Sequence, residues 1–378
     1  MKIAISTGGG DAPGLNAVIR AVVLSATARG WTCAGILRGF GSLLSRGEGA
    51  GAAWLGPERR KLAWTHGLMP LGPEEVRGIT QLGGTILGAS NRGNPFRWPS
   101  VDKDGHAIEV DRSDELIKAL RDAGVDALVI IGGDGSLSIA HDLWLKGMPV
   151  VGVPKTIDND VWGTESTFGF DTAVSTATEA IDKLVSTAMS HDRVMVVELM
   201  GRYTGWIALH SGISGDADVI LIPEIPFDSE KVCQAIRDRE SQGKRFGIVV
   251  VAEGATPRDG ELALLERGRV GQVERLGGIA AQIADLIARE TGKETRTLVL
   301  GHLQRGGSPT TFDRLLALRF GSAAVRAIAD GAFGSLVVYS PPNVERRSLA
   351  DVVGRTRLVP LESGVIMTAR SLGISFGD

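Results

Sequence analysis

The apolar residues of this chain form short runs that alternate with longer segments of helical periodicity. We interpret the runs as strands and the longer segments as helices. The predicted strands are 3–6, 127–131, 150–153, 194–199, 219–222, 247–252, 297–300 and 336–339. The predicted helices are 15–29, 137–145, 172–189, 231–242, 279–290 and 313–329. Because the runs are nearly all apolar, the strands should be buried on both faces. The alternation predicts an α/β protein with mostly parallel sheets and helices on both faces of each sheet.

Length and charge narrow the possible functions. The 378 residues are enough for a large core and two domains. The net charge of −3 and the lack of a basic cluster argue against a nucleic-acid partner. No apolar run is long enough to span a bilayer, and the first strand follows the N-terminus without a signal peptide, so we expect a cytoplasmic enzyme. The two cysteines, Cys33 and Cys233, should be buried free thiols.

Three polar motifs each follow a predicted strand. They are Gly8-Gly9-Gly10-Asp11-Ala12-Pro13-Gly14, Gly132-Gly133-Asp134-Gly135-Ser136 and Pro154-Lys155-Thr156-Ile157-Asp158-Asn159-Asp160. Glycine loops that precede a helix can direct backbone N–H groups at a phosphate. Asp134 offers a carboxylate oxygen for Mg²⁺, and Ser136 could cap the following helix and also contact phosphate. Because parallel strands end at one edge of a sheet, the three loops should converge on one crevice.

Each motif taken alone also has an ordinary structural interpretation. The first could be a plain strand–helix turn, the second an Asp-Gly turn with a serine cap, and the third an Asx-turn with two solvated aspartates. The lysine at position 155 argues against a simple acidic loop, because it places a cation beside the carboxylates. With Asp158 as a base, Lys155 neutralising phosphate and Thr156 adding hydrogen bonds, the third motif indicates phosphoryl transfer to a hydroxyl.

A second set of polar residues lies at the ends of later strands. It comprises Met200-Gly201-Arg202-Tyr203-Thr204-Gly205-Trp206, Glu253 and Gly301-His302-Leu303-Gln304-Arg305-Gly306-Gly307, with Arg193 and Arg296 at the start of two strands. Arginine suits bidentate binding of phosphate, and Glu253 suits a sugar hydroxyl. In isolation Arg193 and Arg296 would be read as surface arginines, and His302 as a structural histidine. The combination implies a second anionic ligand.

These motifs, in this order, resemble those of the 6-phosphofructokinase family over most of the chain, from the first glycine loop to the helix after Asp313. The resemblance implies two similar doubly wound α/β domains with mostly parallel sheets and the active site in the cleft between them. A donor and Mg²⁺ domain would comprise 1–169 and about 304–340, and a fructose 6-phosphate domain 170–303 and about 341–378. It also implies transfer of a phosphoryl group to the 1-hydroxyl of fructose 6-phosphate, giving fructose 1,6-bisphosphate in glycolysis.

The resemblance also implies roles for individual residues. Asp158 would be the general base, assisted by Lys155, Thr156 and Arg202. The donor would be held by Gly10, Arg92, Gly133, Asp134, Gly135 and Ser136, with Asp134 on Mg²⁺. Fructose 6-phosphate would be held by Thr156, Asp158, Met200, Gly201, Arg202, Glu253, His302 and Arg305. Arg193 and Arg296 would reach in from a neighbouring subunit, so a homodimer or homotetramer with shared active sites is implied.

The phosphoryl donor remains open between ATP and pyrophosphate at this point. Pyrophosphate-using relatives carry Asp where this chain has Gly135 and Lys where it has Lys155, whereas the usual bacterial ATP enzymes carry glycine at both. An aspartate at 135 would crowd and repel a nucleotide's α-phosphate, so Gly135 favours ATP. The segment 89–92 is longer than its counterpart in the usual bacterial ATP enzymes, so either Asn91 or Arg92 would contact the phosphoryl donor. Arg20 matches an effector-binding arginine of allosteric relatives, but Leu24 and Val185 stand at the other matching positions, which predicts weak or absent effector control.

Two other functions can be weighed against this one. A nucleotide or lipid kinase, such as the NAD and diacylglycerol kinases, shares the Gly-Gly-Asp-Gly turn but lacks the clamp of Arg193, Arg202, Glu253, His302 and Arg305. A non-catalytic phosphosugar-binding subunit would be expected to have lost Asp134 or Asp158, and both are present. The segment 256–277 has no assigned function.

Overall fold

The apolar runs form the strands of two main sheets in a computed structural model of the protein, which describes residues 1–44, 67–90, 93–260, 264–266 and 275–378. Within these residues the chain divides into two compact units. The first comprises Met1–Thr156, Val161–Gly169 and Arg305–Thr356, and the second comprises Ile157–Asp160, Phe170–Gln304 and Arg357–Asp378. Both contain parallel sheets with helices, so the predicted α/β class is confirmed.

The strands of the described chain, β1 to β15 in order, are Lys2–Thr7, Thr32–Ile36, Leu68–Leu71, Trp98–Val101, Ala107–Val110, Ala127–Gly132, Val150–Pro154, Val194–Leu199, Val219–Leu221, Gly247–Ala252, Leu264–Glu266, Arg275–Leu276, Thr295–Val299, Ser335–Ser340 and Asn343–Ser348. The α-helices, α1 to α11, are Leu15–Thr27, Gly41–Leu44, Ser113–Asp122, Asp134–Leu145, Phe170–His191, Trp206–Ser214, Ser229–Ser241, Ile279–Thr291, Thr311–Ala329, Leu349–Val352 and Gly364–Ser371. A 3₁₀ turn spans Gly301–Arg305. Each helix predicted from the sequence is present, with bounds shifted by a few residues.

The sheet of the first unit has the strand order β15-β14-β7-β6-β1-β2-β3. The five inner strands are parallel to one another, and β3 and β15 pair antiparallel at the two edges. Consecutive side chains of β6 enter different cores: Val129 packs with α1 and α9, whereas Leu128 and Ile130 pack in the cluster on the opposite face. This two-sided burial explains why the strand is apolar at every position.

The sheet of the second unit has the order β13-β8-β10-β9, and all its pairs are parallel. Both β8 and β10 are buried along their whole length. The edge strand β13 differs, because it pairs with β8 on one side and leaves Val299 56% exposed. The expectation of two-sided burial is therefore wrong for the run at 297–300, since an edge strand is covered less than a central one.

The first unit extends further along the chain than the boundary at about residue 340 predicted from the sequence. Residues 341–356 belong to this unit, although they were assigned to the second domain. The reason is the antiparallel pairing of β14 with β15, which continues the first sheet through Ser348. The short segment Ile157–Asp160, by contrast, belongs to the second unit.

The remaining expectations from composition concern cysteines and membranes. Cys33 and Cys233 are both buried and free, as predicted. Among the described residues, no helix combines the length and apolar character needed to cross a membrane.

Candidate active site

In the first unit the two glycine loops meet at one edge of the sheet, where β1 and β6 lie side by side. The side chain of Ser136 lies between them. A Cβ on Gly8 would lie 2.4 Å from Ser136 Oγ, and a Cβ on Gly132 would lie 2.3 Å from Ser136 Cβ. Any larger residue at either glycine would therefore displace Ser136. The glycines allow the loops to approach each other this closely.

The third motif joins the same loops through Lys155, at the end of the neighbouring strand β7. Its side chain is 3% exposed, and its ammonium group donates a hydrogen bond to the backbone oxygen of Gly10. Gly9 has a φ of 74°, and a Cβ there would lie 3.3 Å from Lys155 Nζ. The three loops therefore converge, as the strand order predicts.

Asp134 is the first residue of α4 and is exposed. Its Oδ1 accepts a hydrogen bond of 3.2 Å from the backbone N–H of Gly354. The N-cap of α4 is Gly133, which has no side-chain cap. The expectation that Ser136 caps this helix is wrong, because α4 begins three residues earlier than predicted and Ser136 lies inside its first turn.

Gly135 follows Asp134 in the first turn of α4 and is also exposed. A Cβ at this position would meet no atom of the described chain within 4 Å. Within the described residues there is therefore room for a Cβ at position 135.

Two other predicted ligand-binding residues, Arg305 and Thr156, lie in the first unit. Arg305 Nη1 donates to the carbonyl oxygen of Asp11 at 3.3 Å, and a Cβ on Gly10 would lie 2.7 Å from the same nitrogen. The backbone oxygen of Thr156 accepts from Thr167 Oγ1 at 2.8 Å. Arg305 was expected with the sugar-binding residues, but the structure places it against the first glycine loop.

An open cavity of about 370 Å³ adjoins the first glycine loop. It is lined by Gly9, Gly10, Asp11, Thr85, Gly88 and Ala89. Thr85 and Gly88 were not among the predicted site residues, because no strand-end pattern marks them. The predicted donor residue Arg92 and its alternative Asn91 lie outside the described residues.

In the second unit, Asp158, Arg202 and Glu253 form one electrostatic cluster. The pKa of Glu253 is raised to about 7, first by burial and then by the charges of Asp158 and Glu198, while Arg202 opposes the shift. A carboxyl with such a pKa can donate or accept a hydrogen bond near neutral pH. The structure thus brings together three residues that lie far apart in sequence.

Backbone contacts fix the loop that follows β8. The N–H of Gly254 donates to the oxygen of Gly201 at 3.0 Å, and a Cβ on Gly254 would lie 2.0 Å from the carbonyl oxygen of Arg202. The N–H of Met200 donates to Gln304 Oε1 at 3.4 Å. Position 254 therefore admits only glycine in this arrangement, and the loop carrying Arg202 rests directly on it.

His302 is exposed on the 3₁₀ turn that follows β13. Arg193 and Arg296, which frame this edge of the second sheet, share one carboxylate. Arg193 Nε lies 2.9 Å from Glu294 Oε2, and Arg296 binds Oε1 of the same residue. Their expected contribution to a neighbouring subunit stays a prediction.

Glu198 was not recognised in the sequence, although a charge inside the apolar run of β8 is a signal for it. Its side chain is 3% exposed. Its carboxylate accepts hydrogen bonds from the N–H groups of Gly278 at 3.1 Å and Ala280 at 3.0 Å, at the start of α8. The positive end of the helix stabilises this buried charge, which in turn raises the pKa of Glu253.

Comparison with known proteins gives a consistent result. The family described as Phosphofructokinase matches residues 2–328. A protein of Chloroflexus aggregans named ATP-dependent 6-phosphofructokinase is 47% identical over 379 residues, covering 100% of this chain and 98% of that protein. A protein of Amycolatopsis mediterranei named pyrophosphate–fructose 6-phosphate 1-phosphotransferase is 47% identical over 366 residues, covering 96% and 97% of the two chains.

Two solved structures are similar as well. A phosphofructokinase of Pichia pastoris in the T-state has a TM-score of 0.75 and 30% identity, over 99% of this chain but only 37% of the yeast chain. A pyrophosphate-dependent phosphofructokinase of Nitrosospira multiformis has a TM-score of 0.74 over 100% and 92% of the two chains, and its 20% identity establishes a shared fold alone. The α/β fold and the matched relatives identify a kinase of the α/β class. The chain belongs to the phosphofructokinase family.

Proposed function

We propose that this protein transfers a phosphoryl group from ATP to the 1-hydroxyl of fructose 6-phosphate, giving fructose 1,6-bisphosphate. The observation that carries the proposal is the convergence of both glycine loops on Lys155, whose ammonium group binds Gly10. A buried cation beside backbone N–H groups suits the phosphates of a donor. The ATP-dependent relative at 47% identity over the whole chain supports the same substrates.

The donor site would consist of first-unit residues. Gly10, Gly133, Gly135 and Ser136 would line the phosphates, with Arg92 or Asn91 nearby. Asp134 fits Mg²⁺, because it is an exposed carboxylate, and Mg²⁺ commonly uses one or two carboxylates together with substrate phosphates and water. When held by Asp134, Mg²⁺ would offset negative charge on the donor's phosphates.

The acceptor site would consist mainly of second-unit residues. Asp158 would accept the proton of the sugar hydroxyl, and Arg202 and His302 would bind the sugar phosphate. Glu253 would bind a sugar hydroxyl, since its raised pKa lets it act as donor or acceptor. Met200, Gly201 and Thr156 would add contacts.

Three arginines complete the proposed sites. Arg305 would take part in binding both the donor and the sugar phosphate. It lies against Gly10 of the first glycine loop, and it was expected to bind the sugar phosphate. Arg193 and Arg296 would act across a homodimer or homotetramer interface.

Pyrophosphate is the second candidate donor. A relative named for pyrophosphate use is also 47% identical, and Lys155 can neutralise either donor. We favour ATP because Gly135 leaves open space in the first turn of α4, which an α-phosphate region can use. A non-catalytic role is disfavoured by the presence of both Asp134 and Asp158.

A coupled assay of the purified protein with fructose 6-phosphate, Mg²⁺ and either ATP or pyrophosphate tests the proposal. We expect turnover with ATP that greatly exceeds turnover with pyrophosphate. The Asp158→Asn variant should lose roughly 10²–10⁴-fold in kcat while keeping substrate binding, because a positioned base contributes about that much. Turnover with neither donor would refute the proposed function, and near-normal turnover of Asp158→Asn would refute the assignment of the base.

A further inference from the structure

Three successive backbone carbonyls in the segment 157–160 accept hydrogen bonds from other parts of the second unit. Thr204 Oγ1 donates to Asp158 O at 3.2 Å, and Arg357 Nη1 donates to Asn159 O at 3.3 Å. The backbone N–H of Arg357 donates to Asp160 O at 2.8 Å. Asn159 has a φ of 53°, a left-handed conformation that needs support from its surroundings. Arg357 therefore binds two of the three peptide groups around the proposed base.

Arg357 is itself held in place by Trp206, the first residue of α6. The guanidinium carbon lies 4.2 Å from the centroid of the indole ring, a cation–π geometry. In return, Trp206 Nε1 donates to the carbonyl oxygen of Arg357 at 2.9 Å. Trp206 is 5% exposed, so the stacking surface belongs to the packed interior of the unit. Stacking on this buried ring fixes the direction in which the guanidinium group points towards Asn159.

The segment that carries Arg357 is fixed a second time, two residues later. The N–H of Val359 donates to Glu224 Oε1 at 2.9 Å, and the same carboxylate accepts from the N–H of Gly205 at 3.0 Å. Glu224 thus ties the segment to the start of α6, directly after the loop carrying Arg202. The Glu224 carboxylate therefore links the segment that carries Arg357 to the end of the loop that carries Arg202.

We propose that Arg357 is a positioning residue, which holds the left-handed turn at Asn159 and so sets the direction of the Asp158 carboxylate. The inference rests on the proposed function, in which Asp158 is the base. A base must lie within hydrogen-bond reach of the proton it accepts, and a displacement of about 1 Å can cost about 10²-fold in rate. Replacing the side chain removes its bond to Asn159, whereas the two backbone bonds of residue 357 can persist.

The kinetic test uses Arg357→Met, with Arg289→Met as the control. Arg289 lies on α8, and its side chain is 71% exposed. We expect Arg357→Met to lose roughly 10- to 100-fold in kcat, with the KM for fructose 6-phosphate within about 3-fold of the wild-type value. Arg357→Lys, which keeps a donor but loses the planar fork, should regain part of that loss. A loss confined to KM, or equal losses in the control, would refute the proposal.

A double variant separates positioning from a general structural effect. If Arg357 acts through Asp158, adding Arg357→Met to Asp158→Asn should reduce the residual kcat by less than about 3-fold, because residues that act as a unit are non-additive. A further loss equal to that of the single variant would show that Arg357 acts independently of the base, and would overturn the proposal.

Amide hydrogen exchange tests the contact without any turnover. Exchange in the peptide covering 157–160 should be faster by roughly 10-fold in Arg357→Met than in wild type, and nearly unchanged in Arg289→Met. If Arg357→Met does not fold, Arg357→Lys serves in the same measurement with a smaller expected increase. Unchanged exchange would refute the anchoring role. An inactive wild type with the expected exchange pattern would refute the proposed function and leave the anchor supported.

Discussion

The ammonium group of Lys155 donates a hydrogen bond to the backbone oxygen of Gly10, which lies 145 residues earlier in the chain. This contact places a positive charge at the first glycine loop whichever donor is used. Lys155 alone therefore cannot explain a preference for ATP over pyrophosphate. A preference would have to come from another position, and Gly135, in the second glycine loop, has open space around an added Cβ.

Gly135→Asp should change the donor preference without harming the fold. A Cβ added at this position meets no described atom within 4 Å, and an acidic residue in the first turn suits the helix dipole. The new carboxylate would repel a nucleotide's α-phosphate. We expect kcat/KM for ATP to fall by roughly 10²-fold or more, with a much smaller change for pyrophosphate, in the coupled assay.

Gly364→Asp is the matched control for this change. It also lies in the first turn of a helix, α11, with no described atom within 4 Å of an added Cβ. It should leave both donors unaffected. Equal use of ATP by Gly135→Asp and wild type would contradict the steric explanation of donor choice.

Asp134→Asn should weaken the binding of Mg²⁺ by the protein and slow the reaction. An asparagine oxygen can still accept the hydrogen bond from Gly354, but it lacks the charge that attracts the metal. We expect kcat to fall by roughly 10²-fold or more and the Mg²⁺ concentration for half-maximal rate to rise. Asp142→Asn, on the same helix and with a 49% exposed side chain, provides the control. An unchanged Mg²⁺ titration would contradict the assignment of Asp134 as a ligand.

Glu253→Gln should alter how stability depends on pH. The pKa of Glu253 is raised from 4.5 to about 7 by burial and by nearby carboxylates. The folded state therefore binds this proton more tightly than the unfolded state, so its stabilising effect is complete below about pH 4.5 and is lost as the pH rises through about 7. Relative to Glu253→Gln, wild type should lose roughly 1–3 kcal/mol of unfolding free energy across this range.

Chemical unfolding of both proteins at a series of pH values measures this difference. Glu230→Gln, which changes a carboxylate that is 67% exposed, should follow the wild-type curve. Parallel curves for wild type and Glu253→Gln would show that the carboxyl is not perturbed as described.

Gly254→Ala should damage both stability and sugar binding. The added methyl group would lie 2.0 Å from the carbonyl oxygen of Arg202, so the loop must move. Overpacking of this kind costs about 1–3 kcal/mol, and the shifted Arg202 should raise the KM for fructose 6-phosphate. Thermal unfolding and steady-state kinetics measure the two effects. Gly364→Ala, with open space around it, should show neither, and a normal KM in Gly254→Ala would contradict a role for Arg202 in binding the sugar.

The sequence revealed the central strands because they are buried on both faces and therefore apolar throughout. It did not reveal β2, whose Cys-Ala-Gly centre has little strand character and becomes a strand by pairing with β1. It also missed β15, since an edge strand can carry charged residues such as Glu345 and Arg346. The helix α3 did carry a recognisable signal, with buried Leu116, Ile117 and Leu120 on one face.

The candidate site was predictable where residues belong to strand-end motifs, and less so where distant contacts decide. The meeting of the glycine loops with Lys155 follows from strand order. The position of Arg305 against Gly10 does not follow from strand order, because no local pattern links residues almost 300 positions apart. Glu198 and Arg357 were overlooked for the same reason: their importance comes from the peptide groups they bind after folding.

Each unit is built from three separate stretches of chain, the first finishing at Thr356 and the second at Asp378. The chain is synthesised from its N-terminus, so α1 is made well before α9. The two helices contribute Val18 and Phe320 to the same core. Until α9 is made, the apolar face of α1 has no complete partner, and a nascent chain is vulnerable to aggregation. A chain that stops before residue 341 would therefore lack part of each unit.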